Sequence, residues 1–225
     1  SPAEQPEKPL MPATCNVVVL ISGSGSNLQA LIDSTAPGNP VHISAVISNR
    51  ADAFGLKRAE AAGIPVKALD HKLYADRESF DLALIDCIDS YGAELVVLAG
   101  FMRILSPAFV GHYQGRLLNI HPSLLPKLKG LHTHQRALES REKEHGCSVH
   151  FVTEELDGGP VVLQAPIAVL ENDMPESLAQ RVHTQEHLIY PLAVRWFAEG
   201  RLRLGQTGAE LDDQPLPVNG QQFRN

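Results

Sequence analysis

The sequence predicts an α/β fold, a mostly parallel sheet with helices on its faces, and three observations carry that expectation. Apolar runs rich in β-branched residues alternate with segments of helical period, a glycine turn separates the first run from the first helix, and the first run is apolar throughout. Strands covered on both faces read this way, and strand–helix alternation is the pattern of a parallel sheet wound with helices.

Asn16 to Ile21 (Asn-Val-Val-Val-Leu-Ile) is the first expected strand. Gly23 and Gly25 break it, and Leu28, Leu31 and Ile32 follow at helical spacing. The alternation continues with Ile43 to Ile47 as strand, Phe54 to Ala62 as helix, Val66 to Leu69 as strand, Arg77 to Tyr91 as helix, and Leu95 to Ala99 and Leu117 to Ile120 as strands. A helix is expected over Thr133 to Lys143. The strand-like runs Cys147 to Val152 and Val161 to Ile167 are only about nine residues apart, which favours an antiparallel pair over a crossover of a dozen or more. Glu176 to Glu199 reads as a closing helix with the apolar stripe Leu178, Val182, Ile189 and Trp196. Residues 1–15 are expected as a disordered leader, 16–204 as a single domain, and the polar segment 205–225 as a tail lying loosely on the surface.

The bulk numbers narrow the function. A chain of 225 residues with 44% hydrophobic content can bury one substantial core. A net charge of -7 and a pI near 5.8 argue against a nucleic-acid partner, while leaving room for a small anionic ligand held by local groups. Three widely spaced cysteines (Cys15, Cys87, Cys147) without Cys-x-x-Cys suit reduced thiols and a cytoplasmic location. No apolar run reaches the roughly 18 residues of a membrane span, and the first 13 residues lack the apolar core of a signal peptide.

The chemistry concentrates in Leu117 to Pro126, Leu-Leu-Asn-Ile-His-Pro-Ser-Leu-Leu-Pro. Asn119 and His121 are two apart and so project from one face of a strand, at the carboxyl end where open α/β sheets bind ligands. An amide that donates to an oxyanion beside an imidazole that handles a proton is the pairing acyl transfer needs. Asp157, on the glycine-rich Glu-Glu-Leu-Asp-Gly-Gly-Pro loop, supplies a carboxylate that can approach His121 in space.

Several features admit two readings. The Ser22-Gly-Ser-Gly-Ser-Asn27 turn fits a phosphate held by backbone N–H groups and a helix start, with Ser26 and Asn27 adding donors, and fits a capping turn equally. It is neither a P-loop nor a dinucleotide fingerprint, since Leu28 stands where the latter has glycine. Five of the ten histidines fall between His121 and His150, yet none is spaced as a metal ligand set, so no metal is expected. His150 alternates with Ser148 and Val152 on a strand face, and is either a satisfied core histidine or the orienter of a catalytic group. Glu186 falls on the closing helix's apolar stripe, either solvated at its edge or facing a ligand. Arg77 and Arg103 fit surface ion pairs or an acidic cosubstrate.

Six segments together carry a resemblance: Ile21-Ser-Gly-Ser-Gly-Ser-Asn-Leu-Gln-Ala30, Val97-Leu-Ala-Gly-Phe-Met-Arg-Ile-Leu-Ser106, Asn119-Ile-His-Pro-Ser-Leu-Leu-Pro126, His145-Gly-Cys-Ser-Val-His-Phe-Val-Thr153, Glu155-Leu-Asp-Gly-Gly-Pro160 and Thr184-Gln-Glu-His187. From about Asn16 to Arg203 the chain resembles the folate-dependent phosphoribosylglycinamide (glycinamide ribonucleotide) formyltransferases of purine biosynthesis. The resemblance implies a Rossmann-like amino-terminal half (16–115, phosphate-binding) joined to a smaller catalytic and folate-binding part (116–204). It implies N10-formyltetrahydrofolate as cosubstrate, no metal, small-molecule substrates only, and a monomer or homodimer. Asn119, His121 and Asp157 would be the catalytic trio, with Ser148 and His150 supporting them. Gly25, Ser26 and Asn27 would hold the substrate phosphate and Glu186 the ribose hydroxyls, with His183, Thr184 and Gln185 beside them. Arg77, Met102, Arg103, Ile104, Leu105, Asn119 and the Thr153, Glu154, Glu155, Leu156, Asp157 loop would hold the folate.

Formyltetrahydrofolate deformylase shares the Asn-x-His and Asp elements and uses water as acceptor. Its extra amino-terminal domain is not expected, with fewer than 16 residues ahead of the first strand. Methionyl-tRNA formyltransferase shares Ser-Leu-Leu-Pro but adds a tRNA-binding domain that is likewise not expected. A non-catalytic folate or phosphoribosyl-binding protein is the third reading, and it would not require Asn119, His121 and Asp157 together.

Overall fold

Strand and helix alternate through most of the computed structural model, which describes residues 13–225. The elements are β1 (Cys15–Ile21), α1 (Ser26–Asp33), β2 (Val41–Ser48), α2 (Phe54–Ala61), β3 (Val66–Ala68), a 3₁₀ turn (His71–Leu73), α3 (Arg77–Ser90), β4 (Leu95–Leu98), α4 (Pro107–His112) and β5 (Leu117–His121). There follow α5 (Thr133–Glu139), β6 (Glu144–Phe151), β7 (Val161–Ala168), α6 (Pro175–Ala198), β8 (Leu202–Leu204), β9 (Ala209–Leu211), β10 (Gln214–Pro215) and β11 (Gln221–Gln222). Of the expected leader, residues 1–12 lie outside the described residues, and Cys15 already pairs with Val41 in the sheet.

The main sheet runs β11-β7-β6-β5-β4-β1-β2-β3. β3, β2, β1, β4 and β5 are parallel, while β6 is antiparallel to both β5 and β7, as the short β6–β7 connection predicts. β1 shows why its run is apolar throughout: Val17, Val19 and Ile21 enter a core with α1, α2 and α6, and Val18 and Leu20 enter a second core with α3 and α4. Chain order reverses between β1 and β4, and such switch points open a crevice at the strands' carboxyl ends.

Two expectations need correction, and one helix adds to the expected elements. The helix expected to Lys143 stops at Glu139, because Arg141 turns left-handed (φ 52°) and the Glu142 N–H reaches the Ala137 carbonyl at 3.1 Å, a Schellman-type close with arginine where glycine usually signals it. α4 was not anticipated; Ser106 caps it by accepting the Phe109 N–H at 3.2 Å, and Pro107 opens it. The tail after Gly205 is not loose. β8, β9 and β10 form a small sheet, and β11 pairs with the edge strand β7. Gly220 permits that approach, since it sits at φ 72° and a Cβ there would lie 2.7 Å from the Val162 backbone.

Candidate active site

A cleft of about 560 Å³ opens at the switch point, lined by Ser22 to Asn27 after β1, Asn49 and Arg50 after β2, His71, and Ala99, Gly100, Met102 and Arg103 after β4. Ser22 ties these strand ends together: its hydroxyl donates to Asn49 Oδ1 at 2.6 Å and accepts the Met102 N–H at 2.8 Å. Gly25 takes φ 74° and ψ 32° ahead of α1, and a Cβ there would stand 2.8 Å from Gly55 Cα, so this turn admits only glycine. No side chain caps α1, which leaves its first N–H groups for an anion. The opposite wall is cationic. Arg103 stacks on Phe80 at 4.5 Å, and its Nε, like His71 Nδ1, is buried without a hydrogen-bond partner among the described residues.

α6 reaches this cleft through Glu186. The stripe position is buried, so the solvated reading falls: Oε1 accepts from Asn27 Nδ2 at 3.0 Å, and Oε2 is buried with no hydrogen bond among the described residues. Burial raises the Glu186 pKa against the opposing pull of Asn27 and of His183, whose Nε2 lies 3.9 Å away. Gln185 Oε1 is likewise buried and without a hydrogen-bond partner among the described residues, whereas Thr184 is exposed and its hydroxyl donates to the Gln180 carbonyl of its own helix.

At the end of β5 the structure brings Asn119, His121 and Asp157 together. Register sets Asn119 opposite His150 and His121 opposite Ser148 on β6. His150 is buried and burial lowers its pKa, which favours the neutral ring. Nδ1 lies 2.9 Å from the Phe151 carbonyl and must donate there, which leaves Nε2 to accept from Asn119 Nδ2 at 3.3 Å. The Asn119 amide is thereby oriented, with its second N–H free for a ligand. His121 Nε2 lies 2.9 Å from the Leu128 carbonyl and Nδ1 lies 3.5 Å from Asp157 Oδ1, so a protonated ring meets an acceptor on each side. Asp157, at φ 52°, is anchored by the Gly130 N–H on Oδ2 at 2.9 Å. Ser148 acts one step back, donating to the Ser123 carbonyl at 2.6 Å under the loop that follows β5.

The remaining expected residues divide. Met102 and Ile104 expose 72% and 69% of their surface, and Leu156 on the β6–β7 loop exposes 66%, apolar area a flat ring could cover. Leu105 packs on the second core instead. Thr153 is half-buried, Glu154 and Glu155 are exposed, and Lys129 pairs with Glu155 at 3.4 Å. Arg77 stands exposed at the start of α3, off the cleft wall and without a carboxylate partner among the described residues. Sequence reasoning missed Asn49, Arg50 and His71; the position of Asn49 and Arg50 just after a parallel strand was the available signal. Among the described residues no group of three or more His, Cys, Asp or Glu could hold a metal ion.

A helix start with uncapped N–H groups, an oriented amide and an imidazole–carboxylate pair, all at the carboxyl edge of an open α/β sheet, are the parts that a group-transfer enzyme uses on a small anionic substrate. The chain belongs to the formyl transferase family, whose model matches residues 15–194. It is 59% identical over 207 residues to the phosphoribosylglycinamide formyltransferase of Escherichia coli (strain K12), covering 91% of this chain and 97% of that one. The enzyme of the same name from Haemophilus influenzae is 49% identical over 205 residues, with the same coverage of each chain. The solved structure of phosphoribosylglycinamide formyltransferase from Coxiella burnetii superposes with a TM-score of 0.90 at 52% identity, covering 93% of this chain and 99% of that one.

Proposed function

We propose that the protein transfers the formyl group of N10-formyltetrahydrofolate to the amine of glycinamide ribonucleotide, giving formylglycinamide ribonucleotide and tetrahydrofolate in purine biosynthesis. The observation that carries this reading is the convergence of Asn119 with the His121–Asp157 pair at the end of β5, on the sheet edge that also bears the anion pocket. Gly25, Ser26 and Asn27 would take the phosphate, and the free Glu186 Oε2 the ribose hydroxyls. Met102, Ile104 and Leu156 would cover the folate ring. The division into a phosphate-binding half (16–115) and a catalytic, folate-binding half (116–204) belongs to the same reading, as does a cytoplasmic enzyme working as monomer or homodimer.

The amine attacks the formyl carbon, and the carbonyl oxygen becomes an oxyanion. Asn119 Nδ2 donates to it, and so does the Nδ1–H of a protonated His121, which at 3.5 Å from Asp157 Oδ1 is near that carboxylate but not hydrogen-bonded to it. The amine then loses its proton as N10 of the folate gains one, with Asp157 assisting through water, and the carbon–N10 bond breaks. Absorbance-followed turnover of 10-formyl folate with and without glycinamide ribonucleotide tests the proposal. Turnover that requires the ribonucleotide is expected. Equal turnover without it would make the protein a deformylase, and folate binding with no turnover would make it a binding protein.

A further inference from the structure

We propose that Gln164 and Gln222 are positioning residues that hold the His121 imidazole in place from the carboxyl-terminal strand, through a polar chain running beneath the loop after β5. Its kinetic arm rests on the transfer reaction proposed above; its geometry does not.

Gln164 is 4% exposed, in the middle of β7, where a primary amide is costly unless its donors and acceptor are all served. Its Nε2 donates to the Leu125 carbonyl at 2.8 Å and to Ser148 Oγ at 3.1 Å, and its Oε1 accepts from Gln222 Nε2 at 3.1 Å. Ser148 Oγ in turn donates to the Ser123 carbonyl and accepts the Leu125 N–H at 3.1 Å. A hydroxyl has one proton and two lone pairs, so Ser148 is saturated and only the nitrogen of Gln164 can face it. Gln222 Nε2 also donates to the Asn219 carbonyl at 3.1 Å; both its neighbours are acceptors, so its orientation is fixed as well. Donation therefore runs one way, from Gln222 to Gln164 to Ser148 to the loop.

The far end of the chain is the proton-handling ring. Residues 122–132 form neither strand nor helix, so side chains must hold them. Ser123 Oγ donates to the Lys127 carbonyl at 2.6 Å and the Lys127 N–H to the Leu124 carbonyl at 3.0 Å. This closes the loop so that the Leu128 carbonyl meets His121 Nε2. That one bond decides which ring nitrogen is left for Asp157. A loop displaced at Leu125 would carry the Leu128 carbonyl off the ring. The donor that completes the chain comes from β11, past residue 194 where the family match ends.

Gln222 is exposed, so its substitution is the milder test of the chain. Gln222→Glu sets a second oxygen against Gln164 Oε1, whereas Gln222→Lys keeps a donor there. Gln222→Glu is expected to lower kcat about threefold and Gln164→Leu about tenfold, with KM for both substrates unchanged and Gln222→Lys at the wild-type rate. If Gln164→Leu does not fold, the Gln222 pair decides. Equal kcat in the Glu and Lys variants, with only a shared loss of melting temperature, would reduce β11 to an edge cover and overturn the proposal. A second readout needs no turnover: the His121 Nε2–H resonance, protected by the Leu128 carbonyl, is expected to broaden in Gln222→Glu and persist in Gln222→Lys. An unchanged resonance in both overturns the positioning chain whatever the protein catalyses. A broadened one in a protein that transfers no formyl group upholds the chain and sinks the functional reading instead.

Discussion

Two regions at the carboxyl edge of the sheet offer polar groups of different origin. Around Gly25 they are backbone N–H groups at a helix start; at the end of β5 they are the side chains Asn119, His121 and Asp157, held respectively by His150, the Leu128 carbonyl and the Gly130 N–H. Backbone donors are fixed by φ and ψ alone, so one glycine specifies the anion pocket. Side chains that exchange protons keep rotamer freedom unless a neighbour removes it, so the chemical end needs a second rank of residues. The binding end should therefore fail through backbone geometry and the chemical end through single atoms.

Asn119→Ala tests this most severely. Loss of one oxyanion donor is expected to cut kcat by about 10²–10³ with melting almost unchanged, and Asp157→Asn is expected in the same direction. Near wild-type turnover in either would end the contrast. Gly25→Ala, at a positive φ against the Gly55 backbone, should cost roughly 1–3 kcal/mol in urea unfolding and raise KM for the ribonucleotide more than it lowers kcat. Glu186→Gln should raise that KM about tenfold and leave kcat nearly intact. It also has a pH signature. The folded Glu186 carboxyl titrates above its ordinary 4.5, so the folded state holds this proton more tightly; the contribution is full below 4.5 and lost as pH rises through the raised value. The melting temperature of wild type should accordingly fall relative to Glu186→Gln between acid and neutral pH, and parallel curves would show that the buried carboxylate is compensated. Smallest, Met102→Ala should raise KM for the formyl folate a few-fold, about what losing part of one apolar contact costs, without touching the ribonucleotide. An equal change in both constants would place Met102 between the two ligands.

Periodicity made the parallel half of the fold legible, because β1, β2 and β4 are buried on both faces and show it in composition. Ends set by conformation were not: nothing in the Arg141 side chain announces a left-handed helix stop, and the polar 205–225 segment hides a strand whose role is to serve the backbone of β7. Asn119 and His121 were readable from a two-residue spacing. Asp157, 36 residues from His121, was a guess about space that a loop geometry at φ 52° turns into a 3.5 Å approach. Glu186 illustrates a limit of pattern reading, since a carboxylate on an apolar stripe looks the same at a wet edge as in a dry site until Asn27, 159 residues away, is seen against it.

One phenol on α6 adds a time axis to this site. The fully buried Tyr190 hydroxyl lies 2.7 Å from the Leu98 carbonyl and 3.1 Å from that of Leu118, on the adjacent strands β4 and β5. Glu186 rides one turn earlier on the same helix. The strand ends beside Asn119 and the helix that carries Glu186 are thus tied through one hydroxyl, and deuterium is expected to enter the amides of Ala99 and Asn119 at one common rate if they open together.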